Sequence, residues 1–180
     1  MKNILIPVLA ITSIFLVSCS VTPKKNAEES TTQSAPPVVT ESAKPATDVL
    51  PAFNLTAADG STMNLASLKG KKVFINLWAT WCPPCKAELP SIEKLYAKVD
   101  KENTVFVMLS LDDDFETAKS FARASKMSMP VYYPAENLPA MFNTGGIPAT
   151  FIFNEKGELI KMSSGMDDYD TEAYVQLLKS

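Results

Sequence analysis

Apolar positions along the chain fall into two rhythms. Short runs dense in β-branched and aromatic residues occur at Val73-Phe74-Ile75-Asn76-Leu77-Trp78, at Thr104-Val105-Phe106-Val107-Met108-Leu109-Ser110-Leu111, at Val131-Tyr132-Tyr133 and from Ala149 to Phe153. Runs of this kind, bounded by turn residues, predict buried strands. Between them, Lys86 to about Val99 and Phe115 to Arg123 repeat their apolar residues at helical spacing and predict amphipathic helices. Phe53-Asn54-Leu55 and Thr62-Met63-Asn64-Leu65 flank the turn signal Ala58-Asp59-Gly60-Ser61 and predict a small hairpin. Ala149 to Phe153 and Glu158 to Met162, separated by Asn154-Glu155-Lys156-Gly157, predict another. Leu138 to Phe142 predicts a short helix, and Thr171 to Lys179 a closing one. Strands alternating with helices before a terminal hairpin imply an α/β domain with a central mixed sheet flanked by helices.

The first half-hundred residues follow neither rhythm. Met1-Lys2-Asn3 is a short basic start, Ile4 to Val17 an apolar run, and Leu16-Val17-Ser18-Cys19 closes it with small residues before a cysteine. Residues 1–18 read as a signal peptide, too short for a comfortable membrane span. The closing four residues resemble the lipobox of bacterial lipoproteins, in which the cysteine is lipidated and becomes the first mature residue; an uncleaved anchor or plain secretion are the alternatives. Lipid on Cys19 would hold the chain on a membrane outside the cytoplasm, where disulfides persist. Ser20 is not the aspartate that retains enteric lipoproteins in the inner membrane, which points toward the periplasmic face of the outer membrane. From there to residue 48 the chain is rich in Ser, Thr, Ala, Pro, Lys and Glu, with no apolar periodicity, and reads as a disordered tether. Residues 49–180 then form one domain.

Composition narrows the chemistry. Without residues 1–18, which carry only Lys2, the chain has 16 basic against 20 acidic side chains, a net charge of −4. No basic patch interleaved with aromatics suggests nucleic acid. There are 3 cysteines and no histidine, so a zinc site of Cys/His type cannot be completed within the chain, and Cys-His hydrolases and haem ligation by an internal histidine are excluded.

Cys82-Pro83-Pro84-Cys85 is where chemistry remains. The spacing is shared by a catalytic dithiol, a structural disulfide and half a metal site; its position between a predicted strand and a predicted helix favours the first. Unpaired N–H groups and the positive end of the helix dipole stabilise a thiolate there. Cys82, at the entrance, gains most, and Cys85, one turn in, is suited to resolve a mixed disulfide. Pro83 fits the first helical position because its missing N–H had no partner there. Two prolines between the cysteines also withhold N–H donors from the sulfur, which predicts a reducing poise. Asp112-Asp113-Asp114 before the second helix reads as capping and dipole complement, with a calcium loop as the poorer alternative for want of spaced ligands.

Phe74 to Pro90, with Trp81-Cys82-Pro83-Pro84-Cys85 at its centre, resembles the core signature of the thioredoxin superfamily, particularly the membrane-tethered TlpA and ResA type of thiol-disulfide oxidoreductase. Ile147-Pro148-Ala149-Thr150-Phe151 resembles the second hallmark, a cis proline facing the cysteines; a trans proline in a turn is the alternative. Thr104 to Arg123 resembles the strand and helix inserted in this group, and Pro90 falls where the family kinks its active-site helix. The resemblance implies a thioredoxin-like fold, a redox-active disulfide with no other cofactor, and substrate contacts at Trp81, Ile147 and Pro148, although Trp81 could instead pack in the core. Plain thioredoxin keeps a buried aspartate at the position of Asn76, and an amide cannot shuttle a proton. TlpA and ResA types carry an acid at the position of Glu88, which shares a helix face with Ile92 and Leu95. Partial desolvation there would raise its pKa and let it accept the Cys85 proton; a half-exposed surface glutamate is the alternative.

The implied activity is an extracytoplasmic reductase of disulfides in envelope proteins, apocytochrome c among the candidates. The implied partners are such clients and a membrane electron donor, with the chain itself a monomer. Two rivals remain. A thiol peroxidase would need an arginine beside a lone reactive cysteine, and Arg123, the one arginine in the chain, is distant in sequence. Copper delivery would need a further ligand, and Met141, Met162 and Met166 read as core or surface residues.

Overall fold

A computed structural model describes residues 49–179; the signal peptide, Cys19 and the tether lie outside the described residues. Seven strands form one mixed sheet: β1 (Asn54–Ala57), β2 (Thr62–Asn64), β3 (Lys72–Trp78), β4 (Thr104–Ser110), β5 (Val131–Pro134), β6 (Ala149–Phe153) and β7 (Leu159–Ser164). Their spatial order is β2-β1-β5-β4-β3-β6-β7. The β3–β4 and β4–β5 pairings are parallel; β3–β6 and β6–β7 on one side, and β5–β1 and β1–β2 on the other, are antiparallel. The parallel strands are joined by α1 (Pro83–Lys98) and α2 (Phe115–Ala124), and α3 (Glu172–Leu178) closes the domain.

The long apolar runs become the centre of the sheet because both of their faces are buried. Alternation along β3 divides the core: Phe74 and Trp78 face the helices, with Ile92 and Leu95 of α1, Ala118 of α2 and Val175 of α3. Val73, Ile75 and Leu77 face the other way, packed with Leu50, Phe53, Leu65 and Phe142. Among the described residues that second face carries no α-helix; the lead-in to β1 and two 3₁₀ turns, Leu65–Leu68 and Ala140–Phe142, cover it. Asn76, between Phe74 and Trp78, therefore points toward α1. Thr104–Ser110 is an integral central strand, paired along seven residues with β3. It is β5, delivered by α2, that lies between β4 and β1.

The aspartate run divides as well. Asp114 caps α2, its carboxylate accepting from Thr117 N–H at 3.0 Å. Asp112 does not cap a helix: it is buried, 4% exposed, and serves the turn before α1 instead.

Candidate active site

The site is assembled where β3 and β4 end. Leu111 N–H donates to the Trp78 carbonyl at 2.8 Å. Beside that bond Asp112 accepts from Thr80 N–H at 3.0 Å, from Thr80 Oγ1 at 2.6 Å and from Ser110 Oγ at 2.8 Å. A buried carboxylate with three donors holds the Ala79-Thr80-Trp81 turn rigidly against β4, and so fixes where α1 begins.

Cys82 is the N-cap of α1, and its Sγ accepts from the Cys85 N–H at 3.2 Å. Pro83 and Pro84 occupy the first positions of the helix, and its first turn holds no acidic side chain. A thiolate on Cys82 would thus meet a free N–H and the helix dipole without an opposing charge. The two sulfurs are joined as a disulfide, with Cα atoms 5.3 Å apart. Both cysteines are buried, Cys82 at 3% and Cys85 at 0% exposure, so access is limited to the edge of Cys82.

That edge faces the Ile147–Pro148 peptide bond, which is cis. The Ile147 carbonyl oxygen lies 3.8 Å from Cys82 Sγ; a sulfur in a disulfide has no proton to give, whereas a reduced Cys82 thiol could donate to it. Trp81 is 62% exposed and does not pack in the core. Trp81 and Ile147 line an open, largely apolar groove of about 690 Å³ together with Leu111, Leu138, Phe142 and residues 143–146.

Glu88 is 2% exposed and lies on α1 one helical turn after Cys85. It is not a surface glutamate. Burial pushes its carboxyl up to about 7, against the opposing hydrogen bonds from the Asn76 amide and the Asp167 N–H. Asn76 Nδ2 donates to Glu88 Oε1 at 2.8 Å and to Thr150 Oγ1 at 2.9 Å. Tyr169 donates its hydroxyl to the same Thr150 Oγ1 at 2.7 Å. Cys82, Cys85, Glu88, Trp81, Ile147 and Pro148 are thus brought together; Cys19 lies outside the described residues. Sequence reasoning missed Thr150, Asp167 and Tyr169. Thr150 had a signal, a hydroxyl two residues after Pro148 inside an otherwise apolar strand; the Asp167-Asp168-Tyr169-Asp170 run reads as an ordinary polar loop.

The rival chemistries find little to use. Arg123 is exposed in the last turn of α2, donates to Ser120 Oγ at 2.9 Å and lines a separate groove with Lys119 and Lys126. Met162 and Met166 are exposed, and Met141 packs against the core.

Comparison with known proteins agrees with the geometry. Residues 45–178 match the Redoxin family. Thiol-disulfide oxidoreductase ResA of Halalkalibacterium halodurans is 30% identical over 129 residues, 71% of this chain and 73% of the relative. Among solved structures, StoA from Bacillus subtilis superposes with a TM-score of 0.57 at 27% identity, covering 67% of this chain and 95% of that one. A thiol:disulfide interchange protein of the thioredoxin family from Chlorobium tepidum gives 0.61 at 27% identity, covering 72% and 94%.

Proposed function

Because the chain belongs to the Redoxin family of thioredoxin-like proteins and is a thiol-disulfide oxidoreductase, we propose that it works as a reductase, with Cys82 as nucleophile, Cys85 as resolving thiol and Glu88 as proton acceptor. The Cys82 thiolate attacks one sulfur of a client disulfide; a Cys82–client bond forms, the client S–S bond breaks, and one client thiolate leaves. Cys85 then passes its proton to the Glu88 carboxylate and attacks Cys82 Sγ. The intramolecular disulfide forms and the second client thiolate departs, so two electrons have moved from protein to client. An external dithiol donor must return them.

The observation that carries this reading is a sulfur set against the Ile147 carbonyl, with a buried, readily protonated carboxylate one helical turn past its partner cysteine. Cys85 has no access to solvent, so its proton needs an acceptor inside the fold, and a carboxyl held at about 7 can take and release one near neutral pH. Trp81, Ile147 and Pro148 form the client-facing wall, where the Ile147 backbone can pair with an extended segment strand to strand.

The site operates outside the cytoplasm in this proposal. Residues 1–18 act as a lipoprotein signal, Cys19 carries lipid, residues 19–48 tether the domain, and residues 49–180 reach envelope clients, apocytochrome c cysteines among them. Ser20 after the lipidated cysteine favours the periplasmic face of the outer membrane.

Trapping tests the exchange. A Cys85→Ala variant is expected to accumulate mixed disulfides through Cys82 in cells, identifiable by mass spectrometry; absence of adducts overturns the mechanism. A reduction potential near that of a strong oxidant, about −120 mV, would overturn the direction. Fatty-acid labelling that persists in a Cys19→Ala variant would overturn the anchor.

A further inference from the structure

Glu88 is enclosed by a segment whose side chains take no part in the sulfur chemistry. Between β7 and α3 the chain crosses the side of α1 as a strap, Gly165 to Asp170, fastened along its length. Gly165 N–H donates to the Pro148 carbonyl at 2.9 Å, an approach made with a left-handed φ of 84° that favours glycine. Asp167 N–H donates to Glu88 Oε2 at 3.2 Å. Tyr169 N–H donates to Ser91 Oγ at 3.1 Å, and Asp170 pairs with Lys94 and Lys98 of α1. The Asp167 side chain turns away from Glu88 and closes a clasp: its carboxylate accepts from the Tyr174 hydroxyl on α3, from Ser163 Oγ at 3.4 Å and from Asp168 N–H at 2.8 Å.

We propose that Asp167 is a positioning residue for thiol–disulfide exchange: clasped to Tyr174, it holds the strap over Glu88 and, through its backbone N–H and its own charge, governs when that carboxylate takes up a proton. The inference rests on Glu88 being the acceptor of the Cys85 proton.

The two contributions of Asp167 oppose each other. An N–H aimed at Glu88 Oε2 stabilises the ionised carboxylate, whereas a second carboxylate nearby favours the neutral acid. Among the groups acting on Glu88, Asp167 is the one whose charge does so. On α1 there is Cys85, neutral while bonded to Cys82; on β3 Asn76 and on β6 Thr150 do not titrate. Tyr169 on the strap is driven far above its ordinary range by burial, and Tyr174 on α3 is raised to about 12, by burial first and then by its bond to Asp167. Neither phenol ionises near neutrality. Lys161 Nζ lies over the Tyr174 ring, 5.1 Å from its centroid. The same strap also reaches Pro148, so one stretch of backbone ties the client-facing loop to the proton acceptor.

The test follows the carboxyl of Glu88 by ¹³C NMR in the oxidised full-length protein, where no active-site thiol titrates, alongside the pH profile of the resolution step in single-turnover exchange. Asp167→Asn keeps the size and the acceptor for Tyr174 but removes the charge. The Glu88 midpoint is expected to move to lower pH, with the resolution profile moving down with it. Asp167→Glu keeps the charge and is expected to leave the midpoint near that of the wild type. Tyr174→Phe keeps both charge and ring but opens the clasp, so the N–H donor is lost and the midpoint is expected to rise. An unmoved midpoint in Asp167→Asn overturns the inference even if Glu88→Gln still abolishes rapid resolution. A midpoint that moves while the resolution profile stays fixed overturns the role given to Glu88, and Asp167's part in exchange with it.

Discussion

Asn76 Nδ2 on β3 donates to Glu88 Oε1 on α1 at 2.8 Å, and both side chains are shut away from solvent. The bond joins the central strand to the active-site helix at the level of the disulfide, and it is the strongest of the influences that keep burial from raising the Glu88 carboxyl further. The Asn76 Oδ1 atom has no hydrogen-bond partner among the described residues. An amide suits a neighbour that changes protonation, because a half turn about its last bond exchanges donor for acceptor.

Asn76→Leu removes the donor while keeping the volume. A hydrogen bond to a charged group contributes roughly 1.5–3 kcal/mol, so the Glu88 midpoint is expected to rise by on the order of one pH unit. Single-turnover resolution measured between pH 5 and 9 (a range of about four units centred on neutrality) should shift toward higher pH. A profile that does not move would mean that Asn76 serves packing alone.

Glu88 also makes stability depend on pH in the direction opposite to a salt-bridged carboxylate. Its folded value, about 7, lies above the ordinary 4.5. Between those values the native state holds a proton that the unfolded chain has released, so stability falls as pH rises through this window and levels off above it. The full effect is on the order of 3 kcal/mol as an upper bound. Urea unfolding of the oxidised protein at pH 4.5 and at pH 8 (roughly the two ends of that window) should show it. The Glu88→Gln variant should lose this component, and its resolution step should slow by about 10²-fold while capture of the client by Cys82 proceeds.

Asp112 carries a separate prediction, because it organises the turn that leads to Cys82. Asp112→Ala strands Thr80 N–H, Thr80 Oγ1 and Ser110 Oγ without their acceptor. Leaving buried donors unpaired is expected to destabilise the domain by roughly 2–4 kcal/mol. The alkylation rate of reduced Cys82 should change as its helix cap loosens, whereas Asp114→Ala should cost only about 1 kcal/mol and leave that rate alone. Equal effects of the two substitutions would contradict the division of roles.

Asp112 and Asp114 also mark how far sequence can be read. Asp114 was legible because a cap is a local event, decided by the residues within one turn. Asp112 was not, since its partner Thr80 lies beyond the end of β3, 32 residues away, and only the parallel pairing of β3 with β4 brings the two together. The same distinction runs through the site. Cys82, Pro83, Cys85 and Glu88 lie on a single helix whose periodicity fixes their relations, and a buried position for Glu88 follows from the Ile92 and Leu95 stripe. Pro148 is legible through its resemblance to a family loop, not through spacing. Thr150, Asp167 and Tyr169 reach Glu88 and Asn76 through antiparallel pairing and an irregular strap, and no rhythm in the sequence announces either.

Trp81 separates binding from folding. At 62% exposure it contributes little to the core, and it faces the groove that Ile147, Leu111 and Phe142 line. Trp81→Ala should therefore change unfolding free energy by no more than about 0.5 kcal/mol, as for other exposed positions. An exposed aromatic at the rim of a binding groove is a frequent anchor, and its loss from an interface commonly costs 2 kcal/mol or more, so client capture by Cys82 should fall by roughly 30-fold. A small disulfide such as oxidised glutathione cannot fill the groove, and its reduction should be far less affected. Equal losses with a protein client and with the small disulfide would show that Trp81 shapes the sulfur chemistry and does not hold the client.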